Sequence, residues 1–173
     1  AYFMVNSPAR GTMWKNGEVA VFSWEKGIED GVDAFDLELS RLSDTGLTYV
    51  ALNVPSGKHA AKSLNIYLED IPEADDYFLI ALNSTHGGVY STSQRFTILD
   101  ASSSSSGNES VSVTASVATV TVSGSPNPTI GFATTFALSN GAVRLLGEHG
   151  LGVTWGLTTA LVGCMAGAML TLW

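Results

Sequence analysis

A single cysteine, Cys164, occurs in the 173 residues, and it lies inside an uncharged C-terminal run. A disulfide framework is therefore ruled out for everything before that run, and stability must come from apolar burial. Basic residues are also scarce, 8 Lys and Arg against 16 Asp and Glu, and they form no stripe or patch. That balance argues against nucleic acid and anionic lipid as partners. No G-x-S-x-G elbow is present to expose a nucleophilic serine. His59, His86 and His149 stand alone, with no Cys beside them and no partner at ligand spacing. This argues against a metal centre, and no cofactor is expected. A convincing 3.6-residue apolar period is missing as well, which argues against a helical fold.

What is there, from Tyr2 to Ile98, is a series of short β-type runs separated by turn residues. They are Tyr2 to Asn6, Glu18 to Trp24, Ala34 to Leu42, Tyr49 to Val54, Ser63 to Leu68, Tyr77 to Asn83 and Val89 to Leu99. In the third run Phe35, Leu37 and Leu39 alternate strictly with Asp36, Glu38 and Ser40, the period of a half-buried strand. In the fifth, Leu64, Ile66 and Leu68 take the inward side. Seven short runs with a turn every eight to fifteen residues predict an all-β fold, a seven-stranded antiparallel immunoglobulin/fibronectin-III-like sandwich over residues 1–100. Ile71-Pro72 ahead of Tyr77 has the placing of a tyrosine corner, so Tyr77 is read as structural. Trp24 closes a core-facing strand. Trp14 sits in the loop GTMWKNG, where a sugar-stacking platform and a cap over the open end of the sandwich are both open readings.

After Asp100 the composition changes abruptly. Ser102 to Ser106 is an unbroken serine run, and residues 101–142 are rich in Ser and Thr, with one acid, Glu109, and no base. This composition predicts an extended, O-glycosylated stalk. Within it Val111 to Val122 alternates Val with Ser and Thr, a pattern also compatible with a strand or a self-associating β-segment. Two N-glycosylation sequons are present, at Asn83 and Asn108.

The chain closes with Leu151 to Trp173, membrane-length and uncharged, behind a polar spacer at Val143 to Gly150 and the small residues Ser139, Asn140, Gly141 and Ala142. At about 1.5 Å per residue such a tail spans a bilayer, yet no basic flank follows it. Small residues, spacer and terminal apolar tail predict a GPI-attachment signal over residues 143–173 rather than a retained span. Asn140 is the preferred attachment residue, with Ser139 and Gly141 as alternatives. The sequence opens at Ala1, as a chain would after removal of a secretory signal, which agrees with this expectation.

Against these readings stands a resemblance. Ser7-Pro8, Gly11, Trp14 and Gly17 form S-P-x-x-G-x-x-W-x-x-G, followed by a strand ending in Trp24. With FDLEL (Phe35 to Leu39), LNVPSG (Leu52 to Gly57), DDYFLIAL (Asp75 to Leu82) and YSTSQRFTI (Tyr90 to Ile98), this resembles the fungal KRE/KNH cell-wall-synthesis domain. The resemblance covers about the first hundred residues, and the Ser/Thr-rich stretch and tail are similar to the family's GPI-anchored members. It implies an extracellular protein of the plasma-membrane outer leaflet and cell wall, associated with β-glucan assembly. It supplies no catalytic residues.

The remaining chemistry to weigh is acidic. Glu29, Asp30 and Asp33 share one loop, and Glu69, Asp70, Glu73, Asp75 and Asp76 another. Paired carboxylates hydrolyse or transfer glycans, and clustered ones bind Ca²⁺, but solvated loop acids are the plainer reading. The expectation is thus a non-enzymatic, GPI-anchored surface protein that binds wall glucan or wall proteins. A glycan-modifying enzyme using the loop acids is one alternative, and self-assembly through Val111 to Val122 the other.

Overall fold

The computed structural model describes residues 2–108, 112–124 and 129–138. The predicted spacer, tail and attachment residues Ser139, Asn140 and Gly141 lie outside them. Within the described residues the chain is all-β, with no helix. Eleven strands are present there: β1 (Phe3–Ser7), β2 (Met13–Lys15), β3 (Val19–Lys26), β4 (Ala34–Arg41), β5 (Leu47–Pro55), β6 (Ser63–Glu69), β7 (Ala74–Leu82), β8 (Val89–Thr92), β9 (Phe96–Leu99), β10 (Thr119–Ser123) and β11 (Thr134–Thr135). A smaller sheet runs β1-β3-β6-β10 and a larger one β11-β5-β4-β7-β9-β2, with β8 beside β7. Both are mixed, because β10, β11 and β2 each pair in parallel with a neighbour.

All seven expected runs form strands, and their alternation sets which side meets the core. Phe35, Leu37 and Leu39 are buried, as are Leu64, Ile66 and Leu68. Phe22 and Trp24 of the smaller sheet meet Phe35 of the larger at ring separations of 6.1 and 5.0 Å. Turn chemistry then locks the ends. Gly17 takes φ 81°, a region open to glycine, so Asn16-Gly17 turns the chain into β3. The buried Asn16 amide accepts from the Ile71 N–H at 2.9 Å and donates to the carbonyls of Ile71 and Leu99. The Tyr77 hydroxyl donates to the Pro72 carbonyl at 2.6 Å, the tie expected of it.

Three expectations are corrected. The strand count exceeds seven, in part because the last run breaks into β8 and β9. At the break the Ser93 hydroxyl accepts the Leu79 N–H at 2.9 Å and interrupts the ladder. Trp14 is not in a loop. It lies in β2, register partner of Ile98, with its ring 4.6 Å from Phe96 and 2% of its surface exposed. A three-residue strand between two glycines, pairing in parallel with a partner some eighty positions away, has no local signature. Third, residues 101–138 are not wholly a stalk. Thr119–Ser123 pairs with β6, placing Val120 and Val122 in the core at 1% exposure each, and Thr134–Thr135 pairs with β5. The Val/Thr alternation wins because each valine removes apolar area from water while the threonines stay outside.

Candidate functional site

The side of the larger sheet that faces away from the core carries the most distinctive constellation. Antiparallel register partners share a face. Asp36 is opposite Leu82, Glu38 opposite Ile80 and Ser40 opposite Phe78 across β4 and β7. On the other flank Glu38 is opposite Tyr49 and Ser40 opposite Leu47 across β4 and β5. Ile80 pairs on to Thr92 in β8. One row thus reads Tyr49, Glu38, Ile80, Thr92 over four strands, about 14 Å at the usual strand spacing. Phe78 and Leu47 extend it on one side, and the Tyr49 ring tilts against Phe132 at 5.1 Å. Apart from the exposed Thr92, these are half-buried, largely apolar side chains around a central carboxylate.

Burial raises the Glu38 carboxyl above its ordinary value, and the neighbouring Asp36 charge adds to the effect. Asp36 itself is buried, and its Oδ1 accepts the Asn53 N–H at 2.8 Å and the Ser84 hydroxyl at 2.7 Å. Asn53 sits at φ 56° where β5 shifts register against β4, so Asp36 holds that irregularity in place. Glu38 is the acceptor of the pair that faces the row. Chemically, aromatic and aliphatic faces with an acceptor carboxylate and hydroxyls at Tyr49, Ser40 and Thr92 suit a neutral, hydroxyl-bearing ligand.

The acidic loops resolve differently. Asp75 pairs with Arg95 at 2.8 Å, and Asp76 with Arg41 at 3.2 Å. Asp30 pairs with Lys26 at 2.6 Å and accepts the Val32 N–H at 3.1 Å. Asp75, Asp76 and Asp30 are thus each matched to a cation of their own. Hydrogen bonds from Ser43 lower the Asp76 carboxyl, aided by Arg41 and opposed by burial. For Asp30 burial pushes upward most, yet Lys26 and the Val32 N–H together bring it below its ordinary value. A lowered carboxyl adds stability that is complete above its unfolded value, 3.8 for both, and is lost as pH falls through the lower folded value. Urea midpoints taken down the acid range will therefore drop below that point. Asp76→Asn will lower the midpoint near neutrality and flatten the acid slope; a slope equal to that of the parent would disprove this assignment.

Neither sequon asparagine is a free amide. Asn83 Oδ1 accepts from the N–H groups of Thr85 and His86, at 2.8 and 3.1 Å, and its Nδ2 donates to the Tyr90 hydroxyl. It caps the turn between β7 and β8. Asn108 Oδ1 accepts the Met13 N–H, and its Nδ2 donates to the Gly11 carbonyl at 3.2 Å. It fastens the serine run beside β2. Trp14, being core, presents no face to a ligand. The His86 Nδ1 accepts the Gly88 N–H, at 3.2 Å. The row around Glu38 was missed by sequence reading although FLIAL and FDLEL were both visible. Phe78, Ile80 and Leu82 alternate with the buried Tyr77, Leu79 and Ala81, and only register places them on the face of Glu38. No protein-family model, curated protein or solved structure matches the chain.

Proposed function

We propose that this chain is a non-catalytic cell-surface binding protein whose larger sheet lays its outer face on a neutral glycan of the wall, a β-glucan. The observation that carries the reading is the row Tyr49, Glu38, Ile80 and Thr92 with Phe78 beside it, apolar ring-stacking area around one acceptor. The net charge of −8 disfavours an anionic ligand at the same face. We read the sandwich as immunoglobulin-like, on the order of β1, β3 and β6 against β5, β4, β7 and β9 and on the Tyr77 tie. The Ser/Thr-rich segment and the C-terminal run support secretion and GPI attachment at Asn140, by composition and order alone. The likeness to KRE/KNH domains supports the wall as the setting.

Retention of residues 1–138 on insoluble β-glucan tests the reading. Tyr49→Ala with Phe78→Ala will lower retention at least about tenfold, since two stacking faces contribute at least ~1.4 kcal/mol. Circular dichroism will show the fold intact, because neither side chain points into the core. Retention equal to the parent's, or no retention of the parent, would overturn the proposal. Release of new reducing ends that Glu38→Gln abolishes would instead place the chain among glycan-modifying enzymes.

A further inference from the structure

The row that reaches Tyr49 ends beside a cavity. β11 borders β5 only at Ala51 and Leu52, and the Ala133 N–H adds one more bond, to the Tyr49 carbonyl at 3.0 Å. Leu47 and Thr48 therefore lie on a length of β5 whose outer edge no described strand pairs with. Near it runs β10, the last strand of the smaller sheet, and between the two edges there is a cavity of about 260 Å³. Leu47 to Tyr49 form one wall and Thr121 to Ser123 another, with Ile130 and Gly131 on a third side. Register gives the orientation. Leu47 and Tyr49 oppose Ser40 and Glu38 on the outer face, whereas Thr48 opposes the buried Leu39 and so turns inward, as the buried Val122 does. The cavity is thus an entry between the two sheets at their open edge, and it shares Leu47 and Tyr49 with the outer-face row. The third side is tied to the row as well, through Phe132, whose ring tilts on Tyr49 at 5.1 Å.

The walls restrict what can enter. None of the described lining residues is charged, and Thr48, Thr121 and Ser123 bring aliphatic hydroxyls beside the apolar Val122 and Ile130. An ion would meet no counter-charge there, and burying one unpaired is costly. A wholly apolar group would strip water from the hydroxyls and replace none of its hydrogen bonds. A neutral ring with apolar faces and a rim of hydroxyls meets both conditions, which describes a sugar. The volume is below the roughly 300–1,000 Å³ of sites for drug-sized ligands, so it suits one ring and not a chain. We propose that this cavity is a terminal subsite, taking the end residue of a neutral glycan whose following residues lie along the row from Tyr49 toward the exposed Thr92. The inference rests on the glycan reading above and adds that the protein holds chain ends. A site for internal stretches needs both ends open, whereas this row meets a pocket at one end.

The test titrates the full chain with a β-glucan hexasaccharide that is free at both ends, tagged with a bulky group at the reducing end, or tagged at the other end. Blocking one end will weaken binding at least about tenfold, and blocking the other will leave it unchanged. Gly131 lines the cavity, its backbone lies outside the left-handed region, and a Cβ added there meets nothing within 4 Å. Gly131→Leu therefore adds bulk without a clash, and it will bind the free hexasaccharide as weakly as the parent binds the blocked one. Thr48→Val, which removes one hydroxyl and keeps the shape, will show a smaller loss in the same direction, with circular dichroism confirming that both variants are folded. Parent binding that neither tag weakens, that both weaken alike, or that Gly131→Leu leaves unchanged would overturn the inference and leave the glycan reading standing. The same holds if the parent is retained on insoluble β-glucan yet ignores the free hexasaccharide. Absence of both retention and hexasaccharide binding would overturn the glycan reading, and this inference with it.

Discussion

A chain ending at Asp100 will unfold at a lower urea midpoint than one ending at Leu138, by about 3–6 kcal/mol in unfolding free energy. The figure follows from Val120 and Val122, each buried to 1% exposure and each worth ~1.5–3 kcal/mol when removed from water. It is an upper range, because the unfolded chain already hides part of that area. Two further losses act in the same direction. Truncation removes the Thr114 and Val117 carbonyls that the buried Asn65 amide donates to, leaving it to be rehydrated. It also removes Asn108, whose amide holds Met13 and Gly11. Equal midpoints for the two chains would mean that residues 101–138 behave as a stalk after all. The same comparison separates the two physical readings of the Val/Thr alternation, since a solvated stalk contributes no burial.

Trp14→Ala will cost about 3–5 kcal/mol, the range for deleting a buried aromatic side chain. Trp14 fills the space between β2 and the Phe96 ring at 4.6 Å, and Tyr77 packs on that same Phe96 at 6.2 Å. The cavity therefore opens against the residue that anchors the loop at Pro72. Trp14→Phe will recover most of the loss, because ring packing on Phe96 survives in part. Chemical denaturation followed by tryptophan fluorescence checks both, with Trp24 as the buried reporter that remains among the described residues. The fraction that remains folded will still be retained on β-glucan. Loss of retention without loss of stability would restore Trp14 as a ligand platform and contradict its burial.

The residues show why some of this was legible and some not. β4 and β6 announce themselves, since strict alternation over five or more residues leaves only one side apolar. Tyr77 was legible because its partner, Pro72, lies five positions away. Trp14 was not, because its burial depends on Ile98 and Phe96, far along the chain. The Glu38 row was hidden for a related reason: β7 is apolar on both sides, so alternation could not say which of its side chains faces outward. β10 was ambiguous for a third reason. Two Val alternating with two Thr and a Ser are equally at home in water-exposed and paired states, and the balance depends on whether an edge is available.

The amino-acid sequence alone determined the class of fold, the position of seven strand-forming runs, the core faces of β4 and β6, and the Tyr77 tie, because each rests on a period of two or on contacts within a few residues. The tertiary structure alone decided that Trp14 is core, that Asp75, Asp76 and Asp30 are matched to Arg95, Arg41 and Lys26, that Tyr49 and Ile80 flank Glu38, and that residues 119–123 complete the smaller sheet. Apart from Lys26–Asp30, four positions apart, these are pairings between segments distant in the chain. Their free energy arises only once the sheets bring the partners together, so no local pattern carries it.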